Sequence, residues 1–182
     1  MQEAIFFLTK CLYLMMPVYF ANMAPVLVKK HFKFLDIPVD MGKKFKGKPI
    51  LGSHKTVRGF VFGVFAGIAV AYIQNILYVY DVFRSISFVD YSNWLLLGFL
   101  LGFGALFGDS VKSFFKRRAD VKPGDRFIPW DQIDYSIGSL VFVSFIFVPS
   151  WQAVLTVISI NIIIHMIANH AAYYLGITKV KW

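Results

Sequence analysis

Five apolar stretches constrain this chain more than any other feature. They lie at about residues 4–28, 59–80, 94–108, 135–148 and 152–175, with polar and largely basic connections between them. The hydrocarbon core of a bilayer takes about 20 apolar residues per helix. In lipid, backbone polar groups must be satisfied within the spanning segment, which makes such stretches helical. The pattern predicts an all-α polytopic membrane protein with about five transmembrane helices, forming one domain over residues 1–182. The third and fourth stretches are short for full spans and would borrow flanking polar residues or lean on neighbours. At 58% hydrophobic residues and a mean hydropathy of +0.62, the composition lies above the soluble range. The first stretch lacks a basic leader and continues past Pro17, so it reads as a helix rather than a cleavable signal. Cys11, the only cysteine, sits in that apolar run and reads as a small core residue with no internal disulfide partner.

The formal net charge is +9, and the bases are unevenly placed. One run extends from Lys29 to Arg58, between the first two stretches. Lys112, Lys116, Arg117, Arg118, Lys122 and Arg126 follow the third, and Lys179 and Lys181 lie in the tail. The alternate connections hold only Arg84. The positive-inside rule then places the N-terminus outside and the C-terminus inside. It puts both long basic loops, about residues 29–58 and 109–134, in the cytoplasm of a multi-pass cell-membrane protein. Orientation needs only a few bases, and the surplus suits anionic headgroups or polyphosphates.

Small residues recur every four positions at Gly59, Gly63, Gly67 and Ala71, and again at Gly98, Gly102 and Ala105. That spacing lets helix backbones approach closely. Polar residues within spans are costly and need a reason. Asn161, His165 and Asn169 form one stripe on the last helix. Interhelical bonding and a cavity lining both fit Asn161, while His165 and Asn169 favour a cavity. Asn22, near the cytoplasmic end of the first helix, admits either role.

The chemistry lies in the polar stretch from Gly108 to Asp134. Asp131 and Asp134 are three apart at a helix start and share a face. Asp109 ends the preceding apolar stretch on the same side of the membrane. Three carboxylates can converge there on Mg²⁺, which binds one or two carboxylates together with substrate phosphate oxygens. An N-cap role for Asp131 accounts for one of these residues but not for the pair. Lys and Arg bind phosphate through charge-assisted hydrogen bonds. Lys116, Arg117 and Arg118 are consecutive and cannot all face one ligand from a helix. A second basic cluster spans residues 42–59. It is not a Walker A loop, because Lys55–Thr56 lacks the preceding glycine spacing.

Together these residues resemble the CTP-dependent phosphatidate cytidylyltransferases, and specifically their archaeal relatives, the CDP-archaeol synthases. The bacterial branch has Lys-Arg, four residues, Lys, and a closing Asp-x-x-Asp. Lys116–Arg117, Lys122 and Asp131–Gln132–Ile133–Asp134 keep that order. Gly108–Asp109 and Ser113 fall where that branch has Gly-Asp and Ser, and Ser53, Lys55, Thr56 and Gly59 match part of its upstream segment. The chain departs from it in Pro123, in Arg58 where the bacterial branch has Glu, and in lacking Gly-His-Gly-Gly before the last Asp pair. The archaeal pattern is similar to Leu51–Gly52, Lys55–Thr56, Arg58–Gly59, Lys116–Arg117–Arg118, Pro123–Gly124, His165, Asn169 and Gly176, with Pro17 and Ala21–Asn22 early.

The resemblance implies Mg²⁺-dependent transfer of CMP from CTP to an isoprenoid glycerol-ether lipid phosphate, 2,3-di-O-geranylgeranylglycerol 1-phosphate. It implies catalytic roles for Asp109, Lys116, Arg117, Asp131 and Asp134, with metal at Asp109, Asp131 and Asp134. Substrate contacts fall to Lys55, Thr56, Arg58, Ser113, Arg118, Lys122, Asn22, His165 and Asn169. CTP, the lipid phosphate and membrane lipids are the expected partners, with no nucleic acid and no obligate protein partner. The competing class is a small transporter or scaffold that binds anionic lipid. It would require broken helices or paired mid-membrane charges, and the spans show none clearly. The Asp-Gly-x-x-Ala-Arg motif of the CDP-alcohol phosphotransferases is absent.

Overall fold

The computed structural model describes residues 1–121, 125–174 and 176, apart from the side chain of Ala172. Helix α1 (Gln2–Leu27) leads into a connection that holds two short 3₁₀ turns and a two-stranded hairpin, β1 (Lys44–Phe45) with β2 (Lys48–Pro49). Then follow α2 (Val57–Leu77), the short α3 (Asp81–Ser85), α4 (Trp94–Arg118), α5 (Trp130–Val143) and α6 (Trp151–Tyr174). Among the described residues, four helical stretches are long and apolar enough to cross a membrane: Gln2–Lys30, Val57–Leu77, Trp94–Arg118 and Trp151–Ala171. At 14 residues, α5 is not among them.

The third helix differs most from expectation. It was expected to end near Gly108 and open a cytoplasmic loop at Asp109, yet α4 continues through Arg118. The charges on one face of the extension are paired. Asp109, Lys112 and Lys116 recur at three- and four-residue spacing, share one face and find partners there. The hydroxyls of Ser110 and Ser113 donate back to the Leu106 and Asp109 carbonyls at 2.7 and 2.8 Å, so neither is left unbonded.

The first basic connection is likewise more ordered than a plain loop. The Val39 amide donates to the Lys55 carbonyl, and the Val57 amide to the Ile37 carbonyl, each at 2.8 Å. The Asp40 carboxylate accepts from the amides of Gly42, Leu51 and Gly52 at 3.0, 2.8 and 3.1 Å. Burial raises the Asp40 carboxyl, but those backbone donors outweigh it and hold it below the ordinary range.

Glycines set the helix spacing. A Cβ on Gly98 would lie 2.7 Å from the Ile68 Cα, so α2 and α4 touch backbone to backbone, as the small-residue spacing predicts. A second seam joins α4 to α5. A Cβ on Gly104 would lie 2.7 Å from the Gly138 carbonyl oxygen, and one on Gly108 would strike the Asp134 carbonyl oxygen. Cys11 is fully buried among Leu14, Met15, Val18 and Leu101, in the core role expected of it. Asn161 takes the interhelical role. Its oxygen accepts from the Tyr19 hydroxyl at 2.6 Å and its nitrogen donates to Ser136 Oγ at 2.7 Å, tying α6 to α1 and α5.

Candidate active site

Three carboxylates meet where α4 and α5 are closest. Asp109 comes from α4, and Asp131 and Asp134 come from the first turns of α5, three residues apart and on one face. The Gly108 seam presses α4 against the backbone at Asp134, which brings the two helices' acids within reach of one cation. That cation is the ammonium of Lys112. Its Nζ lies 2.9 Å from Asp109 Oδ1, 3.0 Å from Asp131 Oδ1 and 2.8 Å from Asp134 Oδ2. Lys116 Nζ adds two contacts of 3.2 Å to the Asp131 carboxylate, and Lys55 pairs with Asp109.

Each group is placed for a local reason. Lys55 is fixed by the extended pairing of Pro38 with Thr56 and by the start of α2. The Thr56 hydroxyl caps that helix by accepting from the Gly59 amide at 3.2 Å. Asp131 is not the N-cap of α5, a position held by Pro129. Its carboxylate reaches back instead to accept from the Phe127 amide at 2.7 Å. Burial raises the Asp131 carboxyl, but Lys112, the Phe127 amide and Lys116 outweigh it and hold it below the usual range. Asp134 goes the other way. Its burial dominates, Lys112 pulls against it, the Asp109 charge adds to it, and the carboxyl is pushed up to about 6.

The remaining candidates divide between the cluster and its supports. On α6, His165 Nδ1 lies 3.1 Å from the Asn169 amide nitrogen. Ser113 bonds back to the Asp109 carbonyl and steadies the helix turn beneath the site. Arg58 is buried and braces the first connection, donating to the His31 carbonyl at 3.0 Å and to Asp36 Oδ1 at 2.9 Å. Arg118 fastens the same connection to α4. It donates to the Pro49 and Ile50 carbonyls at 2.8 and 3.0 Å and lies 3.7 Å over the Phe114 ring. Arg117 runs beside Gly52, and its buried Nε has no hydrogen-bond partner among the described residues. The buried amide nitrogen of Asn22 likewise has none among them. Lys122 lies outside the described residues.

Lys112 is the residue at the centre of the cluster that the sequence presents only as one of the orienting bases, because two of its three partners, Asp131 and Asp134, come from a different helix. Its position three residues after Asp109, on the same helical face, is the signal that was available.

An open apolar cavity of about 550 Å³ lies between α4 and α5, lined by Phe107, Val111, Phe115, Trp130, Ile137 and Phe142, and Lys112 and Asp134 of the cluster are among its lining residues. Carboxylate oxygens are the donors a hard divalent cation takes. One positive centre already touches all three acids, so the donor set fits such an ion. As the side chains stand, with Lys112 among the three acids, no group of three or more acids, cysteines or imidazoles among the described residues is placed to hold a metal ion.

Comparison with known proteins identifies the family. The family model described as CarS-like CDP-archaeol synthase matches residues 4–182. A CDP-archaeol synthase of Methanocaldococcus jannaschii is 33% identical over 173 residues, 94% of this chain and 95% of its own length. That of Archaeoglobus fulgidus is 36% identical over 179 residues, covering 95% and 97%. A solved structure, described as an intramembrane enzyme for archaeal membrane lipid biosynthesis, superposes with a TM-score of 0.71 at 26% identity. The match covers 86% of this chain and 90% of that one. Family model, relatives and fold coincide over almost the whole chain, which belongs to the CDP-archaeol synthase family.

Proposed function

We propose that this enzyme transfers CMP from CTP to 2,3-di-O-geranylgeranylglycerol 1-phosphate, with Mg²⁺, giving a CDP-activated archaeal lipid and pyrophosphate. One observation carries the reading: a compact cluster of carboxylates and ammonium groups adjoins, through Lys112 and Asp134, an open apolar cavity suited to hydrocarbon. A lipid phosphate fits such a place. Its isoprenoid chains would lie along the Phe107–Phe142 wall, entering sideways from the membrane, and its phosphate would meet the charges.

In the reaction a lipid phosphate oxygen forms a bond to the α-phosphorus of CTP, and the bond from that phosphorus to the β-phosphate bridging oxygen breaks. Pyrophosphate leaves with the electron pair. Two polyanions must come together, so positive charge has to offset their repulsion. Asp109, Asp131 and Asp134 would hold Mg²⁺, which supplies Lewis-acid stabilisation of the phosphoryl oxygens when bound. Lys55 and Lys116 flank those acids and bind phosphate oxygens. Arg117, with its buried Nε unbonded among the described residues, offers a further donor beside Gly52. Lys122 belongs to the same basic set. Thr56, Arg58, Ser113 and Arg118 act by positioning these groups, while Asn22, His165 and Asn169 line the approach. The site faces the cytoplasm, where CTP is available, and residues 1–182 act as one transmembrane domain.

The test is direct. Purified protein is incubated with CTP, Mg²⁺ and the isoprenoid lipid phosphate, and pyrophosphate release and CMP incorporation into lipid are measured. Stoichiometric appearance of both products is expected. No release from well-folded protein would overturn the proposal.

A further inference from the structure

We propose that Lys112 is an internal counter-cation that keeps the carboxylate cluster closed to divalent ions until a nucleotide arrives, coupling metal entry to nucleotide binding. The inference rests on the reading above that Asp109, Asp131 and Asp134 hold the metal.

The ammonium has three N–H donors, and three carboxylate oxygens lie 2.8, 2.9 and 3.0 Å away, one from each acid. These contacts are ion pairs, both Asp134 carboxylate oxygens lack a hydrogen-bond partner among the described residues, and the Lys112 side chain is only 14% exposed. The cluster is also balanced: Asp109, Asp131 and Asp134 stand against Lys55, Lys112 and Lys116. A bare divalent ion gains no net attraction from such a site. It also needs the same oxygens at about 2.0–2.1 Å, closer than any ammonium contact, so ion and ammonium cannot share the centre.

A triphosphate changes both conditions. Its oxygens complete the ion's coordination and bring negative charge to a balanced cluster. They also give Lys112 new acceptors. The Lys stem is long and its ammonium is a mobile point donor, unlike the planar fork of Arg. Lys112 borders the apolar cavity as well as the acids, so the released ammonium can turn toward the side from which an anionic headgroup would come. It acts as a positioning residue: it keeps the acids ionised and together without metal, then yields them.

The experiment uses the full-length chain in detergent, with Mn²⁺ as the probe and protein-bound ion measured by EPR after equilibrium dialysis. An α,β-methylene analogue of CTP serves as the uncleavable nucleotide. Wild type should bind Mn²⁺ weakly alone, and roughly tenfold or more tightly with the analogue present. Lys112→Gln should bind Mn²⁺ alone roughly tenfold or more tightly than wild type, because an opposing unit charge is gone. Its gain from nucleotide should shrink accordingly. Lys112→Arg keeps the charge and should keep the wild-type pattern.

If Lys112→Gln does not fold, Lys112→Met replaces it, and the wild-type coupling stands as its own test. Equal wild-type affinity with and without nucleotide, or no tightening in the uncharged variants, would overturn the proposal. Metal binding that these variants fail to strengthen removes the Lys112 role and leaves the metal reading intact. Absence of Mn²⁺ binding in every form, with nucleotide present, refutes both.

Discussion

Gly138→Ala should damage this enzyme more than its chemistry suggests, because the added methyl falls on the seam that assembles the site. A Cβ at Gly138 would lie 2.9 Å from both the Cα and the amide nitrogen of Gly108, and nearer still to the Gly104 carbonyl oxygen. Ordinary contact begins near 3.4 Å, so α5 must retreat by at least half an ångström. The obstructing atoms are backbone, and no rotamer change can absorb the clash. Overpacking of this kind costs about 1–3 kcal/mol. In a chain of this size that is a drop of roughly 2–10 °C in Tm. The functional loss should be larger. The acids of α5 reach the α4 cation over 2.8–3.0 Å, and a misplacement of about 1 Å at reacting groups costs roughly a hundredfold in rate. The control is Gly98→Ala, whose Cβ would meet the Ile68 Cα at 2.7 Å on the other seam. Gly98 precedes Asp109 by about 16 Å of helix. Both variants should melt lower in detergent, but only Gly138→Ala should lose most of its pyrophosphate release per folded molecule. Activity within twofold of wild type for Gly138→Ala, or an equal loss in Gly98→Ala, would refute the claim that the glycine seam sets the site.

Three further outcomes are expected. Asp131→Asn should abolish turnover, by at least about a hundredfold, while circular dichroism and detergent melting stay near wild type; retained activity would return Asp131 to its contact with the Phe127 amide alone. The pH profile of kcat/KM should carry an acid limb near 6, because burial raises the Asp134 carboxyl to about that value and the ionised form needed to hold a cation prevails only above it; full activity maintained at pH 5 would refute this. Asn161→Leu should lower stability by about 1–3 kcal/mol by stranding the half-buried Tyr19 hydroxyl and the buried Ser136 hydroxyl, with little change in turnover per folded molecule; an undiminished Tm would show that those bonds contribute nothing net.

The apolar stretches were legible because a span leaves a run of sequence that little else explains, and the pairing of Asp131 with Asp134 was legible because a three-residue step shares a helical face. What stayed hidden has one physical origin: partners supplied by a different helix. Hydropathy ended the third helix at Gly108, since a charged run facing lipid is costly. The run faces inward, where Lys112 meets acids from α5, and the helix continues to Arg118. Gly104 and Gly108 show small-residue spacing, but the groove they form acquires meaning only when Gly138 fills it. Family spacing carries the same ambiguity. Arg58 and Arg118 sit at matching positions, yet here they hold the first connection in place through Asp36, Pro49 and Ile50. A motif of bases thus mixes two duties that spacing cannot separate: groups that meet the anion, and groups that build the wall behind it. Burial and hydrogen-bond partners separate them. Arg58 and Arg118 spend donors on the first connection, on the His31, Pro49 and Ile50 carbonyls and on Asp36, whereas Lys55, Lys112 and Lys116 are paired with the three acids of the cluster. If Asp109, Asp131 and Asp134 hold the metal as proposed, each acid taken by an ion would free an ammonium for phosphate.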